Sequence, residues 1–113
     1  MEERQGVILL GHGSIREEAN VEVRGMWRML EEQLPELTIS GSFVEVAQPT
    51  LEEEVTRLVD AGMKRIVIVP MFLTRGNHLS NKIPHTMDTL RKKYPHIQIE
   101  LTRHLGVYPL LAE

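Results

Sequence analysis

Apolar and polar positions along the chain follow two alternating patterns, one typical of buried strands and one typical of amphipathic helices. Unbroken apolar runs at residues 6–10 and 65–70 predict strands that are buried on both faces. Residues 38–44, which are rich in β-branched and aromatic side chains, and residues 97–101 predict two further strands. Because a helical segment separates each strand from the next, the pattern predicts parallel strands joined by right-handed crossovers.

Three segments carry the apolar spacing of a helix. Residues 16–34 are expected to form an amphipathic helix that ends at Pro35. Its inner face holds Ala19, Val23, Met26, Leu30 and Leu34. A second helix is expected to begin at Thr50, with a capping box to Glu53, and to stop at Gly62. A long loop at residues 71–81 is expected before the third helix, which has Pro84 in its first turn and closes at Pro95. Its inner face holds Ile83, Met87, Leu90 and Tyr94. The predicted fold is a three-layer α/β domain with a four-stranded parallel sheet flanked by helices.

Composition restricts the possible functions without choosing one. The chain has 113 residues, 42% hydrophobic and 26% charged, as expected of one soluble domain. A formal charge of -3 gives no support to a nucleic-acid partner. Because the chain has no cysteine, any transition metal must be bound by nitrogen and oxygen. The charged N-terminus and short apolar run fit neither a signal peptide nor a membrane span, which favours a cytoplasmic protein without a membrane partner.

Three side chains capable of binding a metal follow three of the predicted strands: His12, Glu45 and His78. Because the carboxyl ends of parallel strands meet at one edge of a sheet, these side chains are expected to converge there. Glycines flank His12, and they would let the backbone approach a ligand closely. The plain alternatives are hydrogen-bonded loop histidines and a solvated acid.

The remaining histidines have weaker contexts. His85 is expected on a helix surface, His96 in the turn after Pro95, and His104 in a polar loop after the fourth strand, with a position beside the site as the less favoured alternative. The motif Gly11-His12-Gly13-Ser14 is not a phosphate-binding loop, and the chain has no G-x-S-x-G nucleophile elbow.

Several motifs together resemble the CbiX/SirB family of sirohydrochlorin chelatases over nearly the whole chain. In order, they are Gly11-His12-Gly13-Ser14, Phe43-Val44-Glu45 with Ala47-Gln48-Pro49-Thr50-Leu51, Val69-Pro70-Met71-Phe72-Leu73, Gly76-Asn77-His78, Ile83-Pro84, and Leu105-Gly106 with Pro109-Leu110-Leu111. The resemblance implies a chelatase-like (flavodoxin-like) fold and insertion of cobalt, iron or nickel into the tetrapyrrole sirohydrochlorin, with cobalt favoured. It implies no cofactor beyond the divalent metal substrate.

The resemblance also assigns residues. His12, Glu45 and His78 match the family's metal-binding and catalytic set. Apart from the resemblance, candidate contacts to the acidic side chains of the substrate are Ser14, Arg16, Arg75, Gly76 and Lys82, with Arg103 as a further cation. The alternative for each cation is a solvated surface charge. The family implies a homodimer with its site in the cleft, and a C-terminal helix beyond Glu113. We therefore expect residues 1–113 to form a single chelatase domain that lacks this helix.

Two other functions are alternatives, and the first of them would use the same ligands. The first is a metal or tetrapyrrole carrier without turnover, and the second is a flavodoxin-like binding domain in which the histidines are incidental. Metallation faster than the uncatalysed background separates an enzyme from a carrier. Metal retention after both His12→Ala and His78→Ala would favour the binding domain.

Overall fold

The computed structural model describes residues 5–44, 46–71 and 77–102, and for residues 77–81 it describes the backbone alone. Strands and helices alternate along the described chain as the apolar pattern predicts. In order, they are β1 (Gln5–Gly11), α1 (Glu17–Gln33), β2 (Thr38–Phe43), α2 (Leu51–Asp60), β3 (Arg65–Pro70), α3 (Asn77–Lys93) and β4 (Gln98–Leu101). Each strand begins and ends within one residue of its predicted bounds.

The four strands form one parallel sheet in the order β2-β1-β3-β4. Gly11 pairs with Phe43 on β2, and Leu10 pairs with Pro70 on β3. The carboxyl ends of these three strands therefore lie level with one another, at one edge of the sheet. Connections that leave this edge are the ones expected to carry a site in an open parallel sheet.

Each face of the sheet has its own apolar core, which confirms the three-layer prediction. On one face α2 and α3 pack against β1, β3 and β4, with Ile8, Leu10, Ile66 and Ile68 fully buried. On the other face α1 packs over β1 and β2, and its core is built from Leu9, Trp27, Ile39, Phe43 and Ala47. Val67 and Val69, which alternate with the buried residues of β3, are only half-buried. One face of this strand is therefore less completely covered than the other.

The inner face of α1 differs from the predicted one. Val23 and Leu30 pack against the sheet as expected, but Met26 is 45% exposed and Leu34 is 37% exposed. The buried residues of the helix are instead Asn20 and Trp27. The apolar spacing did not predict the burial of Asn20. An asparagine is buried only where hydrogen bonds satisfy its amide, and sequence periodicity does not show such bonds.

The start of α2 is confirmed in detail. The Thr50 hydroxyl accepts a hydrogen bond from the Glu53 N–H at 3.2 Å, and the Glu53 carboxylate accepts one from the Thr50 N–H at 2.8 Å. At the other end of the helix Gly62 adopts a φ of 96°, a conformation that glycine enters without a steric penalty.

The predicted loop at residues 71–81 is wrong for its last part, because α3 begins at Asn77. Pro84 consequently lies inside the helix and not in its first turn. A proline in a helix interior loses one backbone hydrogen bond and costs about 3 kcal/mol. The buried side chains Ile83, Met87 and Leu90 offset this cost by fixing the helix against the sheet. No helix within the described ranges is long and apolar enough to cross a membrane.

Candidate functional site at the carboxyl edge of the sheet

His12 directly follows β1, at the edge where the ends of three strands meet. Its side chain is exposed. On one side of it, Gly11 is so closely packed that an added Cβ would lie 3.1 Å from Val23 Cγ1 and 3.2 Å from Phe43 Cδ1. On the other side Gly13 has a φ of 93°, which favours glycine. The two glycines thus permit the turn that presents His12 at this edge.

Backbone hydrogen bonds tie the three strand ends together. The Val44 N–H donates to the Gly11 carbonyl at 2.9 Å, and the Met71 N–H donates to the Leu10 carbonyl at 2.7 Å. The Phe43 N–H donates to the Pro49 carbonyl at 2.8 Å, which closes the connection between β2 and α2. The Gln48–Pro49 peptide bond in this connection is cis. The segments that leave β1, β2 and β3 therefore begin from one hydrogen-bonded platform.

Asn20, from the second turn of α1, binds the turn that follows His12. Its Oδ1 accepts a hydrogen bond from the Ser14 N–H at 2.9 Å, and its Nδ2 donates to the Ser14 carbonyl at 2.8 Å. The Ser14 hydroxyl in turn accepts the Arg16 N–H at 3.0 Å. Asn20 is only 4% exposed, and its buried amide is satisfied by its hydrogen bonds to this turn and to Glu17.

Arg24, one turn further along α1, reaches the connection between β2 and α2. Its Nη2 donates to the Gln48 carbonyl at 3.0 Å, and its Nη1 donates to Glu17 Oε2 at 2.9 Å. The guanidinium also lies 5.3 Å from the centre of the Phe43 ring. Hydrogen bonds from Asn20 and then from Arg24 lower the pKa of Glu17 below its ordinary value. Glu17 is therefore an anion near neutral pH with both carboxylate oxygens engaged.

Two open grooves lie on either side of Val46 at this edge. One has a volume of about 590 Å³, and its walls include Ser14, Asn20, Arg24 and Gln48. The other has a volume of about 390 Å³ and reaches across to Lys82 on α3.

The structure describes some of the predicted site residues and not others. His12, Ser14, Arg16 and Lys82 lie within the described ranges, whereas the predictions for Glu45, Arg75, Gly76, Arg103 and His104 fall outside them. Arg16 is exposed and pairs with Glu18 at 3.6 Å. His85 on α3 is exposed, and His96 lies in the turn before β4, both as predicted.

The backbone of His78 corrects its predicted setting. This residue is the second of α3 and is not part of a loop, although it still follows β3 by way of the carboxyl edge. Among the side chains that the structure describes, no three histidine, aspartate or glutamate residues group as a metal site. His12 is among these described side chains, whereas Glu45 and the side chain of His78 are not.

Asn20 and Arg24 are the site residues that sequence reasoning missed. Both are polar, and they lie on the face of α1 that also carries Trp27, at helical spacings of four and three residues. A polar pair at such spacing beside buried positions was the available signal. The sequence did not reveal their role because both residues bind backbone atoms outside the helix, and every residue type supplies such atoms.

The geometry supports metal or proton chemistry at His12. Among the histidines whose side chains are described, His12 is the one at the carboxyl edge, and a neutral imidazole is able to bind a borderline divalent metal or to accept a proton. The Glu17 carboxylate on α1 accepts hydrogen bonds from Asn20 and Arg24.

The CbiX family profile matches residues 6–113. A sirohydrochlorin ferrochelatase from the chloroplast of Arabidopsis thaliana is 30% identical over 108 residues, covering 96% of this chain and 48% of the relative. A sirohydrochlorin cobaltochelatase from Methanopyrus kandleri is 35% identical over 78 residues, covering 69% of this chain and 54% of the relative. The chain thus spans about half the length of the curated relatives it matches.

Solved structures agree with the fold. A CbiX protein from Marinobacter aquaeolei superposes with a TM-score of 0.84 at 26% identity, covering 96% of this chain and 88% of that one. The sirohydrochlorin chelatase SirB from Bacillus subtilis in complex with cobalt gives a TM-score of 0.83 at 26% identity, covering 93% of this chain and 45% of SirB.

Proposed function

Because the chain belongs to the CbiX family, we propose that it is a chelatase that inserts a divalent metal ion into sirohydrochlorin. Cobalt is the favoured metal, with iron and nickel as the others. The observation that carries the proposal is the family match over residues 6–113, supported by relatives named as sirohydrochlorin cobaltochelatases and ferrochelatases. An exposed imidazole at the carboxyl edge of the sheet suits this chemistry.

The reaction sets the requirements of the site. Two pyrrole N–H bonds must break, two protons must leave, and the metal ion must exchange water for the macrocycle nitrogens. A set of imidazole and carboxylate ligands binds borderline divalent metals without the tight closure of a thiolate site. In the proposal His12 delivers the metal and accepts a pyrrole proton, His78 coordinates the metal, and Glu45 coordinates it or accepts the second proton.

The substrate is expected to lie across the grooves beside Val46. Its acidic side chains would meet Ser14, Arg16 and Lys82, together with Arg75 and Gly76 in the segment before α3. Support for this placement comes from the exposure of Arg16 and Lys82 and from the position of Lys82 in the wall of the smaller groove. A cytoplasmic location and the lack of any cofactor beyond the metal stay predictions from the sequence.

The experiment is anaerobic incubation of the protein with sirohydrochlorin and cobalt, nickel or iron, followed by absorption spectroscopy. The wild type is expected to metallate sirohydrochlorin faster than the uncatalysed reaction. His12→Ala is expected to abolish this activity and keep the fold, because the His12 side chain is exposed. His96→Ala is the matched control, since His96 is an exposed histidine in the turn before β4. Near-normal turnover by His12→Ala would reject the mechanism, and metal binding by the wild type without turnover would indicate a carrier.

We further propose that the working form is a homodimer. The grooves at the carboxyl edge are open, and a planar tetrapyrrole needs a second wall, which a two-fold related copy supplies. Cyclic pairs are the commonest homo-oligomers. Sedimentation is expected to give twice the chain mass of 13.0 kDa. A monomer that metallates sirohydrochlorin at the full rate would contradict this arrangement.

A further inference from the structure

We infer that Asn20, Glu17 and Arg24 act as one unit, the α1 clamp, which fixes the turn after His12 relative to the connection between β2 and α2. None of the three is a metal ligand in this proposal; they are positioning residues. The inference rests on the proposed function, because it assigns to the clamp the placement of the metal-binding group His12.

The first half of the clamp holds the turn that follows His12. Asn20 makes a two-point contact with Ser14, accepting from its N–H at 2.9 Å and donating to its carbonyl at 2.8 Å. A side-chain amide that binds both polar groups of one residue fixes the orientation of that residue as well as its distance. Because Asn20 is 4% exposed, little water is available to replace these bonds.

The second half of the clamp reaches the neighbouring connection. Glu17 accepts from Asn20 Nδ2 at 3.2 Å through one carboxylate oxygen and from Arg24 Nη1 at 2.9 Å through the other. Arg24 then donates to the Gln48 carbonyl at 3.0 Å. An unbroken series of hydrogen bonds therefore joins Ser14, in the connection after β1, to Gln48, in the connection after β2.

The clamp sits where precise placement is needed. A binding constellation must be held within about 0.5 Å of its productive geometry, and exposed loop residues rarely achieve this alone. His12 is two residues from Ser14, and Gln48 lines the same groove as Ser14 and Asn20. The rigid part is α1 itself, which Trp27 fixes to the sheet by packing beside Phe43 at 4.9 Å between ring centres.

The test measures Co²⁺ affinity by calorimetry in the full chain, without sirohydrochlorin. Asn20→Ala and Arg24→Met each remove clamp bonds, and methionine keeps an apolar stem where Arg24 lies beside Phe43. Each variant is expected to weaken Co²⁺ binding about tenfold, as is usual when a residue that orients a ligand is lost. The double variant is expected to lose about tenfold as well, not a hundredfold, because breaking one clamp twice adds nothing.

Two controls separate positioning from loss of stability. Arg28→Met makes the same substitution one turn later in α1, and Ile66→Val weakens the core far from both turns. Both are expected to leave Co²⁺ affinity within twofold of the wild type. The visible absorption spectrum of bound Co²⁺ is expected to change in the clamp variants alone, and Arg24→Lys is expected to recover part of the affinity, because it retains a cation beside Glu17.

The outcomes are distinct from those of the proposed function. Single variants within twofold of the wild type, or a double variant about a hundredfold weaker, would overturn the clamp while metallation by the wild type stood. A wild type that binds Co²⁺ but never metallates sirohydrochlorin would reject the chelatase, and the affinities would still decide on the clamp. A wild type that binds no Co²⁺ would overturn the clamp, because it would have no metal-binding group to place, whereas the metallation assays with iron and nickel would still decide on the chelatase.

Discussion

Gly41 on β2 is the position where the smallest change is expected to have the largest structural effect. A Cβ placed there would lie 1.9 Å from Trp27 Cδ2, 2.2 Å from Cε3 and 2.3 Å from Cε2. Carbon atoms in contact prefer separations of about 3.5–4.0 Å, so the indole must move by more than 1 Å. The indole is rigid and lies in the core between α1 and the sheet, which makes this movement costly.

We expect Gly41→Ala to lower the free energy of unfolding by about 3 kcal/mol, the upper end of the usual cost of overpacking. Gly25→Ala is the matched control, because a Cβ at Gly25 meets nothing within 4 Å. Gly25 lies inside α1. Alanine there is expected to raise stability by about 0.5–1 kcal/mol through its better helix propensity. The same chemical change is thus predicted to act in opposite directions at the two sites.

Urea denaturation measures both effects. The chain has one tryptophan, so its fluorescence reports directly on the group that the substitution displaces. Far-UV circular dichroism provides a second probe, and coincident transitions justify a two-state analysis. A Gly41→Ala variant as stable as the wild type, or a Gly25→Ala variant destabilised to the same extent, would refute the packing argument.

Two other predictions concern the cap of α2 and an ion pair between β3 and β4. Thr50→Ala removes the capping box of α2 and is expected to cost about 1 kcal/mol in thermal unfolding. Thr50→Ser keeps the hydroxyl that accepts from the Glu53 N–H and is expected to lose less stability than Thr50→Ala. Equal losses of stability in the two variants would contradict the cap. On β4, hydrogen bonds from Arg65 and then Gln98 lower the pKa of Glu100 below its ordinary value of 4.5. The ionised carboxylate therefore stabilises the folded state above pH 4.5, and this contribution is lost as the pH falls through the lowered pKa. Wild type is expected to exceed Glu100→Gln in stability near neutral pH, with the difference closing in urea titrations at acid pH; a difference independent of pH would contradict the pairing.

Sequence reasoning succeeded where the signal is local. Strands β1 and β3 are continuous apolar runs, and the start of α2 is a short-range exchange of hydrogen bonds between Thr50 and Glu53, so both features are visible within a few residues. It failed where packing overrides a local preference. Pro84 predicts a helix boundary, yet α3 passes through it because the helix is fixed by side chains buried in the core.

The candidate site was predictable in position but not in construction. A histidine between glycines after a buried strand indicates the carboxyl edge, and His12 lies there. The Arg24 to Gln48 contact, in contrast, joins residues 24 positions apart through a backbone carbonyl. Any residue supplies such a carbonyl, so the sequence holds no pattern that identifies the partner before the fold is known.

The inner face of α1 has two chemically different halves, and the division follows the sheet beneath it. Trp27 and Leu30 pack over the strands, whereas Asn20 and Arg24 lie where the strands end. An apolar residue at position 20 would leave the part-buried N–H and carbonyl of Ser14 without their Asn20 partner, which lowers stability because water replaces such bonds only in part. Selection for packing alone would not favour this division. A helix that both closes a core and holds two turns at the carboxyl edge requires it, because the backbone groups at that edge need hydrogen bonds that apolar side chains cannot provide.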